Sequence, residues 1–135
     1  MTGSRWIAIG AGLGALGVAL GAFGAHFLRD RVSSGVWDAR QLEIFEVGVR
    51  YQMYHALALV VVGLWAERRP SRRATAAGAC FLFGIVVFSG LLYALAFTQI
   101  KVLGAIVPIG GMAFIVGWLA LAAAAATQAR AETVP

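Results

Sequence analysis

Trp6-Ile-Ala-Ile-Gly-Ala-Gly-Leu-Gly-Ala-Leu-Gly-Val-Ala-Leu-Gly-Ala-Phe-Gly-Ala-His-Phe27 is a run of twenty-two residues without an acidic side chain, a lysine or an arginine. As a helix it is ~33 Å long, enough to cross the ~30 Å hydrocarbon core of a bilayer. Its internal order matters as much as its length. Gly10, Gly14, Gly17, Gly21 and Gly24 recur at intervals of four and three and form one seam; Ala8, Gly12, Ala15, Ala19 and Ala22 recur the same way and lead to His26. Trp6, Ile9, Leu13, Leu16, Leu20, Phe23 and Phe27 fill the remaining face. In lipid there is no hydrophobic drive between helices, and small residues allow the close backbone approach that holds them together. The pattern predicts a central first helix, with neighbours on two sides and a large-residue face toward lipid or a further subunit. A secretory signal is the rival reading, with Arg5 ahead of the run and small residues at 22–25, but signal cores span only about 7–15 residues.

Three further apolar stretches follow, roughly Val49–Ala66, Ala74–Phe97 and Val102–Ala126. They are joined by a polar segment from Leu28 to Gly48, by Glu67-Arg-Arg-Pro-Ser-Arg-Arg73 and by Thr98-Gln-Ile-Lys101. Across all 135 residues, 61% are hydrophobic and 13% charged, far from the roughly 45–50% apolar share of a soluble domain. Mean hydropathy is +0.83. The predicted fold is all-α: a single membrane domain forming an up-down four-helix bundle, because short connections make antiparallel neighbours.

The net charge of +5 points to loops that orient spans rather than to nucleic acid, since no basic stripe or aromatic platform accompanies it. Arg5, Arg68, Arg69, Arg72, Arg73 and Arg130 fall on the side of the termini, against Arg29, Arg31, Arg40, Arg50 and Lys101 opposite. The density of the 68–73 cluster favours both termini in the cytoplasm. Between the first two spans, Trp37, Leu42, Ile44 and Phe45 alternate with Asp38, Arg40, Glu43 and Glu46, which predicts a short amphipathic interfacial helix. Ser33 or Ser34 is its expected cap, with Glu43 at about capping-box distance and Glu46 paired to Arg50 four residues on. Cys80 lies within an apolar run and reads as a small packing residue.

Chemistry concentrates in one half of the sequence pattern. His26 and His55, the only histidines, lie near facing ends of the first two apolar stretches, which predicts one shared depth. An ionisable group below a bilayer surface is costly unless paired or hydrated, so both are functional candidates. Gln52 and His55 share a helix face with Tyr51, and Ser89 and Tyr93 are four apart on the third span. The candidate intramembrane polar site is therefore His26, Gln52, His55, Ser89 and Tyr93. Pro108 and Gly110-Gly111 are positioned to kink or break the fourth helix and free backbone carbonyls. Two histidines alone are a thin ligand set for a metal or haem, and Ser89 lacks an acid to orient a base. No cofactor and no catalysis are expected; the remaining readings are hydrogen bonds that anchor helices and a path for protons, ions or a small solute.

Gly21-Ala-Phe-Gly-Ala-His26, Val49-Arg-Tyr-Gln-Met-Tyr-His-Ala-Leu-Ala58, Phe88-Ser-Gly-Leu-Leu-Tyr93 and Leu103-Gly-Ala-Ile-Val-Pro-Ile-Gly-Gly111 together resemble the successive motifs of domain-of-unknown-function family 423, the YgdD or transmembrane-protein-256 type. The resemblance spans nearly the whole chain and stops after Ala126. It implies a small multi-span protein of the bacterial inner membrane, with His26 and His55 at the family's histidine positions and no activity to carry over. The expected role is that of a structural or accessory component, partnered by the lipid bilayer and by a homo-oligomer or larger membrane complex. A transporter or channel is the first alternative, a histidine-ligated electron carrier the second.

Overall fold

The computed structural model describes residues 1–132, with side chains described through Gln128; the Arg130 side chain lies outside them. Four helices long and apolar enough to cross a membrane follow one another: α1 (Gly3–Ser33), α2 (Ala39–Arg68), α3 (Arg72–Thr98) and α4 (Lys101–Glu132). The connections are short, so successive helices are antiparallel. Gly35, at φ +74°, turns the chain out of α1. Ser71 Oγ accepts from Ala74 N at 3.0 Å to start α3, and Gln99 takes the left-handed conformation that ends it.

The amphipathic stretch after α1 is helical as expected, but it does not stand alone. Residues 39–48 form the first turns of α2 itself, making a thirty-residue helix. Asp38, rather than Ser33 or Ser34, caps it: Asp38 Oδ1 accepts from Gln41 N at 2.8 Å and Gln41 Oε1 accepts from Asp38 N at 3.1 Å. The two serines instead donate back to the Arg29 and Arg31 carbonyls at the end of α1. Glu46 pairs with Arg29 across helices, at 3.5 Å, rather than with Arg50. Gln41 also donates from Nε2 to Ala96 O at 2.9 Å, tying the start of α2 to the end of α3.

α1 packs along α2, α2 along α3 and α3 along α4. The seam between α1 and α2 is built on a strict heptad, Gly3, Gly10, Gly17 and Gly24, all buried. A methyl at Gly10 would lie 2.7 Å from Ala56 O, so the backbones touch there. Gly21 borders the seam, whereas Gly14 faces open space; Gly3 belongs to it although the apolar run begins after it. The second small stripe, Ala8, Gly12, Ala15, Ala19 and Ala22, is exposed throughout. The expectation of a central α1 is therefore overturned. α2 and α3 form the middle of the bundle; α1 is held mainly by α2 and meets α3 through Trp6, whose ring lies on Gly78, and at the other end through the cluster of Leu28 with Ala96.

The core of Trp6, Leu59, Val62, Phe81, Ile85 and Phe114 runs through the lower and middle bundle. A second cluster of Leu28, Phe45 and Ala96 closes the upper end, with Trp37 edge-on to Phe97 at 4.9 Å. On the outward face of α2, Arg40, Glu43 and Arg50 are exposed above, and Leu57, Val61 and Leu64 below. Pro108 does not break α4, which is continuous; losing one backbone donor near its start leaves the remaining ladder intact. The departures from regular helix are instead two π turns, Gly24–Leu28 in α1 and Ile85–Ser89 in α3.

A polar network at the centre of the bundle

The register of the seam sets the depth of each polar residue. Gly10 lies against Ala56 and Val60, Gly17 against Gln52 and Met53, and Gly24 against Phe45. His55 is thus level with the part of α1 between Gly10 and Gly17, near the middle of the bundle. His26 lies about twelve residues further along α1, ~18 Å away in depth. The shared depth expected from the sequence does not occur, because α2 starts at Ala39 and carries its first ten residues alongside α1. His26 is also exposed, on the side of α1 opposite the glycine seam. The two histidines of one chain cannot ligate one metal ion or haem.

Gln52, 2% exposed, joins three helices. Its Nε2 donates to Leu13 O of α1 at 2.8 Å, and its Oε1 accepts from Tyr93 Oη of α3 at 2.8 Å. Two glycines make room: Gly17 leaves space beside the amide, and at Gly48 a Cβ would stand 2.8 Å from the Tyr93 ring. Of the five residues of the candidate polar site, Gln52 and Tyr93, on neighbouring helices, are brought into direct contact.

His55 makes a separate network, toward α4. Its Nδ1 lies 2.8 Å from Tyr51 O, and Trp118 Nε1 donates to its Nε2 at 3.2 Å. An indole N–H only donates and a carbonyl only accepts, so these two bonds fit the neutral imidazole with its proton on Nδ1. Phe114 stacks on the ring, centroids 3.4 Å apart and planes within 7°. Phe81 and Tyr51 complete the surround. Beside it, Tyr51, Tyr54, Phe88, Pro108, Met112 and Ile115 line a largely apolar groove of about 650 Å³ between α2 and α4.

Ser89 is fully buried, and its Oγ has no hydrogen-bond partner; Trp6 Nε1 shares that condition. Ser89 therefore belongs to the core of α3 without joining either network. Trp118 and Phe114 were missed by sequence reasoning, although their i, i+4 spacing on α4 marks an aromatic face at the depth of His55. Gln41 was missed because its stretch reads as interfacial. Among the described residues, no three His, Cys, Asp or Glu side chains gather as a metal site.

The family model described as "Protein of unknown function (DUF423)" matches residues 20–111, which include Gln41, Gln52, His55, Ser89 and Tyr93. The chain is 47% identical over 116 residues to a UPF0382 membrane protein of Staphylococcus epidermidis, covering 86% of this chain and 90% of the relative. It is 45% identical over 121 residues to the UPF0382 membrane protein YwdK of Bacillus subtilis, covering 89% and 94%. A UPF0382 membrane protein of Haemophilus influenzae is 44% identical over 105 residues, covering 78% and 80%. No solved structure matches.

Proposed function

Because the chain belongs to the DUF423 family, whose curated relatives are membrane proteins, we propose that it is a non-catalytic structural component of a membrane assembly, docking through the outer face of α1. The observation that carries this reading is the division of α1 into two small-residue faces. The glycine heptad is consumed by α2, whereas Ala8, Gly12, Ala15, Ala19 and Ala22 remain exposed along the opposite side. Such a face gains nothing from lipid over Leu or Ile, but it allows another helix to approach closely. A second copy is the simplest occupant, since a face of this kind is self-complementary about a two-fold axis.

The polar residues support the same reading. Both Gln52 Oε1 and Nε2, and both ring nitrogens of His55, are engaged by the protein's own groups. These bonds support a role for Gln52 and His55 as ties between helices. In this reading the protein sits in the bacterial plasma membrane with the termini and the 68–73 turn in the cytoplasm.

The test is association in bilayers. With Cys80 replaced by serine, Ala15→Cys is expected to cross-link between copies, whereas Val86→Cys, exposed on α3, is not. Ala19→Leu should reduce the cross-linked fraction severalfold without unfolding the chain. A chain that stays monomeric at every protein-to-lipid ratio, with no cross-link at Ala15, would sink the proposal.

A further inference from the structure

The groove of about 650 Å³ beside His55 is of a size that takes a small molecule, and its lining restricts which one. One wall is aromatic: the Tyr51 ring lies 4.7 Å from Phe88 and 6.2 Å from Phe114, with its plane 25° from that of Phe114. Along α4 the groove runs ~15 Å from Pro108 to Trp118 and begins ~10 Å below Lys101, so it lies within the hydrocarbon layer. Met112 and Ile115, 59% and 53% exposed, form the lip that opens toward lipid chains. No Asp, Glu, Lys or Arg takes part in the lining. Its hydrogen-bonding capacity is narrow as well. Both His55 ring nitrogens and the Trp118 N–H are already engaged. Tyr93 donates its hydroxyl to Gln52, whereas the hydroxyls of Tyr51 and Tyr54, on the α2 side of the groove, have no hydrogen-bond partner among the described residues. A hydroxyl without a partner is costly in hydrocarbon, so these two donors favour a ligand that brings acceptors.

We propose that this groove binds the ring of an isoprenoid quinone, its carbonyl oxygens accepting from Tyr51 and Tyr54 and its tail leaving past Met112 and Ile115 into the bilayer. A quinone ring is flat and neutral, so it stacks on the aromatic wall and brings no charge into a lining that could not pair it. Its carbonyl oxygens accept and do not donate, which matches the two hydroxyls. The apolar tail matches the open lip and separates a membrane quinone from a water-soluble aromatic. A phospholipid offers ester carbonyls but no ring, and its charged headgroup finds no partner in the lining. Binding of this kind needs no electron transfer and is independent of the docking face of α1.

Native mass spectrometry of the purified full chain tests this, in micelles containing a short-tailed ubiquinone, farnesol, which has the tail without the ring, or phosphatidylglycerol. One ubiquinone per chain is expected, retained about tenfold or more over farnesol, the discrimination that two hydrogen bonds supply. Tyr51→Phe with Tyr54→Phe removes both donors and no bond within the chain, and should lower retention of the ubiquinone about tenfold. Met112→Trp, an enlargement at an exposed position in the groove, should lower it severalfold with both hydroxyls in place. Val86→Trp, exposed on α3 and outside the groove, should leave it unchanged. Equal retention of ubiquinone and farnesol by the native chain overturns the proposal. So does retention that the tyrosine pair does not alter, or that Met112→Trp and Val86→Trp lower equally, which is partition into the micelle. Preferential retention of phosphatidylglycerol, lost in Met112→Trp, makes the groove a lipid site and overturns it too. Should Met112→Trp fail to fold, the tyrosine pair decides alone.

Discussion

Gln52 carries bonds to two other helices, and its effect is measurable one bond at a time. Tyr93→Phe removes the donor to Gln52 Oε1, and Gln52→Leu leaves a buried tyrosine hydroxyl without its partner. Each single change is expected to cost about 1 kcal/mol, with a coupling of about 0.5–1.5 kcal/mol in the double-mutant cycle, within the range of hydrogen bonds between membrane helices. Unfolding in bicelles by steric trapping measures both; a coupling near zero means that the bond contributes nothing. Both residues were legible in the sequence as members of one polar half of the bundle, whereas their pairing, between residues 41 apart, was not. Nor was the position of His26. Residues 39–48 read as a short interfacial helix of their own, and only the cap at Asp38 reveals that they extend α2 and carry His55 to mid-depth. The bond from Trp118 to His55 joins residues sixty-three apart, and no local pattern specifies it.

Glycines on α1 differ sharply although they look alike in the sequence. A methyl at Gly10 meets the Ala56 carbonyl at 2.7 Å and Val60 at 2.9 Å, whereas nothing stands within 4 Å of one at Gly14. Backbone cannot yield as a flexible side chain can, so Gly10→Ala is expected to destabilise by about 1–3 kcal/mol. Gly14→Ala should be neutral or stabilising by up to ~1 kcal/mol, through helix propensity. Thermal unfolding of the two variants in one detergent gives the comparison, and equal losses would place the seam elsewhere. Intervals of four and three draw a broad stripe on a helix, and the strip within it that makes contact is selected by the partner. That is why the small-residue faces were legible while their assignment was not. The π turns at 24–28 and 85–89 have no residue signature comparable to that of proline or a capping serine, so the element boundaries concealed them.

Four spans, their order and their antiparallel course followed from hydropathy and loop length alone, since only helices satisfy the backbone in lipid and short links leave no other topology. What hydropathy does not encode is which helix is central. Because α1 is held mainly by α2, residues 1–35 should detach as a unit. Expressed as a separate fragment with residues 36–135, they are expected to co-purify through the glycine heptad, and Gly10→Leu should abolish recovery of the pair. Failure of the unmodified fragments to associate would show that the link at Gly35 is needed for assembly. The outward face of α2 has a different consequence for the surrounding membrane. Arg50 and Glu43 are exposed there, and α2's apolar surface from Tyr51 to Trp65 is only ~21 Å tall, against ~33 Å for α1 from Trp6 to Leu28. Unpaired charge draws water and headgroups down to itself. The belt of lipid around this protein is consequently not level: one leaflet dips beside α2, and the molecule presents the bilayer with a thin side and a thick side.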